Sequence, residues 1–330
     1  IQLISEFSGD TIYQKIICDE FILMLFKICD SLFNGSFFTN TFDNMSYYCS
    51  FLLKQIIRSI VNQPDQNEQQ NMERITNLGF YDVIWYFFFK NENIPHSQSE
   101  AIETFKLLCT NEHFINIKFP QILDFLAQMI KENKLLPQNR IKIYQLICDV
   151  YNKNSENEVL ISCIDPIQQD GKKGIPWELL LESISSENKN EIFAAFEVLQ
   201  TLFNYNSYSI RIAIDMKLNI ALIDIVQNAQ YDIKTKALQV VYTWISCHHT
   251  DADNESFISF DFLEYLFTIL ESDDKDLNIK SDEKELNLNF QAYRVILQIF
   301  SLNTRFPYLD QESLDLYDKR LKEVLRNSDI

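Results

Sequence analysis

One spacing pattern limits the folds open to this chain more than any other feature. Apolar residues at i, i+3, i+4 and i+7 line one face of an α-helix. That template is met by Ala195, Val198, Leu199 and Leu202 and again, 42 residues later, by Ala237, Val240, Val241 and Trp244. It recurs at Ala292, Val295, Ile296 and Ile299 and upstream at Ile143, Leu146, Ile147 and Val150, while Ala101, Thr104, Phe105 and Leu108 meet it in three of four places. A second helix is expected after the first in each unit: Leu222, Ile223, Ile225 and Val226, then Leu266, Phe267, Ile269 and Leu270 at an offset of 44, with similar segments at 122–130, 177–184 and 80–88. Two offset series of similar period predict stacked helical units, each able to bury its apolar face only against its neighbours.

Composition points the same way. Phe supplies 26 of 330 residues, whereas Gly and Pro supply only 5 and 7, too few turn-formers for a sandwich or a barrel built on many tight hairpins. Polar, Asn-, Gln- and Asp-rich stretches at 62–74, 152–176, 246–257 and 271–289 read as solvent-exposed insertions between helices. The C-terminal DQESLDLYDKRLKEVLRNSDI suits a capping helix with a polar outer face, and the helix expected over 10–33 is apolar almost all round, either buried against a neighbouring unit or the cut edge of a longer array.

The segment NKNEIFAAFEVLQTLFNYNSYSIRIAIDMKLNIALIDIVQN, and the stretch 190–270 as a whole, resembles the armadillo family, in which a long helix leads through a polar turn into a short helix and then a second packed one. The period suits HEAT repeats equally, so both families stay open. The resemblance implies an all-α, armadillo/HEAT-like right-handed α-solenoid: a single helical-repeat domain over 1–330, of about six or seven units by length over period, clearest over 99–310 and more divergent over 1–98. Armadillo repeats set Gly at the sharp turn before the second helix, where a left-handed backbone is cheap. Here Asn219 and Asp261 stand in those places, and only Gly79, in LGFYDVIW, fits directly.

The formal net charge of −18 and pI of about 4.6 repel a phosphate backbone, so direct nucleic-acid binding is not expected, nor is attachment to an anionic membrane. The longest apolar stretch, 16–29, is interrupted by Asp19, Glu20 and Lys27, and no secretory signal is visible. Seven cysteines without CxxC spacing read as small buried hydrophobes in a reducing compartment. The expected location is the cytoplasm, with the nucleus as the alternative.

Chemistry-bearing motifs are sparse. CHHTDAD gathers Cys247, His248, His249, Asp251 and Asp253, but adjacent His side chains at a helix end diverge by about 100°, which suits a helix terminus better than tetrahedral zinc. GKKG at 171–174 lacks the leading Gly and the Lys-Ser or Lys-Thr pair of a phosphate loop and reads as a flexible connector. Cys109 and His113 stand at i and i+4, yet Cys109 continues an apolar face, so packing is the expectation. The acidic run 271–285 lacks the Gly and ligand positions of a calcium loop. It reads as a solvated segment or a contact for a basic partner, with Ser272 and Ser281 as acceptors of a possible phosphate. No metal, no cofactor and no enzymatic activity are expected.

In armadillo-like solenoids the third helix of each unit lines a concave groove. Carried over by matching positions, the outward pairs are Gln145 with Asp149, Glu197 with Thr201, Gln239 with Thr243, and Arg294 with Gln298. The Trp and Asn pairs of importin alpha and the Lys and Arg rows of beta-catenin-like grooves are both missing. The expected function is non-catalytic protein–protein interaction, as an adaptor, scaffold or assembly-chaperone-like protein whose partner carries a basic surface. The alternative is a regulatory subunit or exchange factor that changes the conformation of a partner enzyme, chaperone or cytoskeletal complex. The same polar residues also suit a merely hydrated face, and solenoids bind along edges and end caps too.

Overall fold

The structure, a computed structural model, describes residues 95–110, 112–131, 137–154, 156–164, 174–206, 208–247, 257–271, 288–303 and 309–327. Among them are twelve helices and no strand. The helices expected at 10–33 and 80–88, the turn at Gly79 and nearly all of the acidic segment lie outside the described residues. The chain divides into two compact units, Ile1–Pro176 and Trp177–Ile330.

The first unit contains α1 (Pro95–Leu108), α2 (Glu112–Lys131), α3 (Pro137–Lys153) and α4 (Glu158–Ile164). Proline opens α1 and α3, at the helical position where a missing N–H costs nothing. The template residues of α1 and α3 all face inward: Ala101, Thr104, Phe105 and Leu108 meet Ile143, Leu146, Ile147 and Val150, none more than 2% exposed. Helix α4 corrects the expectation of a loop over 152–176. Asn157 supplies its start, because the side-chain oxygen accepts the backbone N–H groups of Val159 and Leu160 at 3.0 and 3.1 Å, a helix cap. Its amide nitrogen donates to Asn116 Oδ1 of α2 at 2.8 Å, fixing α4 to the helix it packs on. Nor is GKKG wholly a loose connector. Gly174 is buried, Ile175 N–H donates to the Cys163 carbonyl at 2.8 Å, and a Cβ on Gly174 would lie 1.9 Å from that carbonyl oxygen. Only glycine permits the approach.

The second unit contains α5 (Trp177–Ile184), α6 (Lys189–Tyr205), α7 (Tyr208–Asp215), α8 (Leu218–Asn228), α9 (Tyr231–Ser246), α10 (Phe260–Glu271), α11 (Leu288–Asn303) and α12 (Gln311–Asn327). Helix α5 has the bounds read from the sequence. The long helices α6, α9 and α11 pack side by side, with α9 in the middle, and their twelve template residues are fully buried. Each short helix packs on the long helix that follows it: α5 on α6, α8 on α9, α10 on α11. The second helices expected after α6 and α9 are thus present as α8 and α10, and each packs chiefly on the long helix that comes next.

The sharp turn before α8 also differs from expectation. The left-handed residue is Lys217, at φ 59° and ψ 28°, while Asn219 lies buried inside the helix. Lys217 is the only described non-glycine residue at positive φ, so Asp261, in the first turn of α10, is not a left-handed turn residue. A side chain with a Cβ costs about 1–2 kcal/mol in that conformation. Phe203, Trp244, Phe257 and Phe262 form an aromatic chain through the core, with successive ring centroids 5.1, 5.1 and 5.9 Å apart.

Helix α12 is amphipathic, as its charged sequence suggests, and is clamped to α10. The Arg320 guanidinium donates to both oxygens of Glu264 at 2.8 and 2.9 Å and to Glu271 at 3.0 and 3.1 Å, above the Phe267 ring at 4.6 Å. These three partners stand at i, i+3 and i+7, one face of α10.

Candidate partner-binding face

Three contacts set the relative direction of the long helices in the second unit. At their N-terminal ends, Lys189 of α6 pairs with Asp232 of α9, and the Leu288 N–H of α11 donates to the Tyr231 hydroxyl of α9 at 3.1 Å. At the other end, Cys247, just past α9, directs its thiol at the Phe203 carbonyl near the end of α6, 3.2 Å away. The three helices are therefore parallel and level. Equivalent positions lie side by side, and the polar residues between the buried template positions form one face.

That face carries six of the eight residues singled out from the sequence. Glu197 is exposed, and Thr201, Gln239, Thr243, Arg294 and Gln298 are half-buried. Glu197, Gln239 and Arg294 share one level; Thr201, Thr243 and Gln298 share the next. The Thr243 hydroxyl donates back to the Gln239 carbonyl at 3.0 Å, so its lone pairs face outward as acceptors. Glu197 forms no ion pair among the described residues. The remaining two, Gln145 and Asp149, belong to the first unit. Gln145 is exposed on α3, and Asp149 is paired with Lys106 of α1, a contact that raises the lysine's pKa. Asp149 is thus half of an internal ion pair, which the sequence expectation of a groove carboxylate did not include.

The sequence reading missed the aromatic part of the face. The Arg294 guanidinium lies 3.9 Å from the centre of the Tyr242 ring and 5.8 Å from that of Phe290, and its Nη1 donates to Gln291 Oε1 at 3.2 Å. Arginine stacked in this way is held in one orientation. Its hydrogen bond to the Tyr242 phenol, with a second from Ser246, also holds that group below its ordinary pKa, against a smaller opposing effect of burial. The signal was present in part, since Tyr242 stands three residues after Gln239 on the same helical face, but its pairing with Arg294 spans two helices.

Chemically, the face offers hydrogen-bonding side chains, one exposed carboxylate and one oriented guanidinium. The Cys109 and Cys247 thiols are poor nucleophiles: burial raises the Cys109 pKa strongly and pushes that of Cys247 up to about 11. Of CHHTDAD, only Cys247 is described, and among the described residues no group of three or more His, Cys, Asp or Glu is placed to hold a metal ion. Among the described residues, no helix is long and apolar enough to cross a membrane.

No protein-family model matches the chain, and no curated protein matches it. Among solved structures it is similar to an engineered protein whose crystal structure was determined by the Northeast Structural Genomics Consortium, with a TM-score of 0.54 at 12% identity over 84% of this chain and 96% of that chain. A second engineered protein from the same consortium aligns over 98% of this chain and 93% of its own length at 10% identity, but its TM-score of 0.37 supports no argument. At such identity the first likeness concerns the fold alone, and it agrees with an all-α, helical-repeat-like architecture.

Proposed function

We propose that this chain is a non-catalytic protein-binding module, an adaptor, scaffold or assembly-chaperone-like protein built as an armadillo- or HEAT-like right-handed solenoid, which holds a segment of another protein on the face of α6, α9 and α11. The observation that carries this reading is the level, parallel packing of those three helices. It sets polar side chains from three separate stretches of sequence on one surface, as an extended ligand requires. The net charge of −18 supports faster encounter with a basic partner, and the scattered free cysteines suit a reducing compartment, cytoplasm or nucleus.

The test is affinity capture from native extract, comparing the wild type with a Glu197→Lys, Gln298→Lys double variant and with a control, Glu323→Lys, on the exposed side of α12. The expected result is a stoichiometric partner held by wild type and control and released by the double variant at unchanged thermal stability. A partner held equally by all three would move the contact surface away from this face.

A further inference from the structure

Among the described residues Arg294 has no carboxylate partner, whereas the cations that fasten the helices on either side of it and in the first unit do. Lys106 pairs with Asp149, Lys142 with Glu103, Lys189 with Asp232, Lys322 with Asp318, and Arg320 with both Glu264 and Glu271. Arg294 instead rests on Tyr242 and Phe290 and is fastened by the neutral Gln291. Its neighbours on the face, Gln239, Thr243 and Gln298, are uncharged, and Leu297 beside it is 41% exposed. The guanidinium is thus half-desolvated, oriented and, among the described residues, without an anion, the condition in which an added carboxylate gains most from bidentate hydrogen bonding. At the opposite edge of the same level stands Glu197, exposed and without a cation among the described residues. Two helix-to-helix spacings separate the two charges, about 16–20 Å, which an extended chain rising about 3.3 Å per residue covers in five or six residues.

Resting on the reading that this face docks a partner, we propose that the occupant is an extended segment of another protein that sets a carboxylate on Arg294 and, five or six residues away, a lysine or arginine near Glu197. The charge pattern fixes the direction in which the segment crosses the three helices. It also reconciles a strongly acidic chain with a cationic recognition point: the overall field speeds the approach of basic partners, while the local arginine selects among them and sets their orientation.

The probe is a set of fluorescein-labelled dodecapeptide pools, randomised except for one Glu and one Lys about six positions apart in either order, with matching pools carrying Gln for Glu and Gln for Lys. Anisotropy is measured on the full chain. The expected result is that one Glu–Lys order binds best, that Glu→Gln in the peptide weakens binding about tenfold, and that Arg294→Gln in the protein weakens it to the same degree. The two changes together should then cost no more than either alone, as a direct contact requires. Arg294→Lys should recover little, because an ammonium neither stacks nor forks. Equal binding of the Glu and Gln pools to the wild type overturns the proposal without any variant needing to fold. If captured partners are nonetheless released by the face variants above, docking on this face stands and only the charge assignment falls. If capture ignores those variants and no pool is selected, both fall.

Discussion

The α1–α3 pair and the α9–α11 pair close corresponding seams with different chemistry. In the first unit the seam carries ion pairs, Lys106 with Asp149 and Lys142 with Glu103, and Lys142 also reaches Ser99, while Gln145 stays exposed. In the second unit the corresponding seam is closed by a guanidinium on an aromatic ring, leaving hydrogen-bonding groups at the surface. An ion-paired seam spends its charges internally, whereas a stacked arginine holds two helices together and still presents its N–H groups outward. One scaffold thus gives one region sealed by its own charges and another poised to receive them.

The sharpest break of this comparison lies beneath the seams, at the last template position. Trp244 of α9 corresponds to Val150 of α3, and both are buried. Trp244 meets Phe203 and Phe257 edge-on, each at 5.1 Å, and so joins α6, α9 and the approach to α10. Trp244→Ala should cost about 4 kcal/mol and Val150→Ala about 2 kcal/mol, in line with cavity formation around a large and a small side chain. Urea denaturation followed by far-ultraviolet circular dichroism measures both. Equal losses would show that the aromatic chain is no more committed to the second unit's core than a valine is to the first.

How much of this was legible depends on whether the signal is local. The inward faces of α1, α3, α6, α9 and α11 follow from residues within two turns of one another, and every template position is buried. Short elements and turns were harder. Helix α4 has only seven residues, EVLISCI, too few for periodicity to stand out from its polar flanks, and it is fixed by a cap and by Asn116 at 41 positions' separation. At the turn before α8, residue preference favours Asn219, but helix packing places the left-handed residue at Lys217, whose side chain makes no capping bond. Tertiary packing outweighs a preference of this size. Of the candidate face, the positions were readable and their partners were not: Lys106 with Asp149 and Tyr242 with Arg294 are contacts between helices.

A smaller effect separates the seams by their response to salt. The Lys106–Asp149 pair is 42% and 36% exposed at its side chains, so removing it by Lys106→Gln should cost at most about 0.5 kcal/mol, and less still at molar salt. Arg294→Gln should cost about 1 kcal/mol, largely independent of salt, since stacking on Tyr242 and Phe290 includes contact that ions do not screen. Double-variant cycles with Asp149→Asn and Tyr242→Leu at low and high salt read both couplings. A salt-sensitive Arg294–Tyr242 coupling would mean that the two seams are one device with different residues.

The smallest difference concerns pH, and there the two seams have opposite signs. Lys106 has its pKa raised by Asp149, so its contribution is fully present below the unfolded lysine value, neutral pH included, and is lost as pH rises through the folded value. The Tyr242 phenol is held below its ordinary value by Arg294, so its contribution is present above the unfolded tyrosine value and is lost as pH falls through the folded one. Below that folded value the linkage adds nothing, and α9 and α11 are joined there by the stacking, by the Tyr231–Leu288 hydrogen bond and by their buried apolar faces. As pH rises through the lowered phenol value the phenolate–guanidinium attraction grows, and it is fully present above the ordinary tyrosine value of about 10, where the lysine contribution begins to fade. Difference titration of phenolate absorbance between the wild type and Tyr242→Phe should therefore reveal one tyrosine ionising early, and Arg294→Gln should move it back toward its ordinary value. If Arg294→Gln leaves that titration unchanged, the guanidinium is not held against Tyr242 in solution, and the α9–α11 seam loses the feature that distinguishes it from α1–α3.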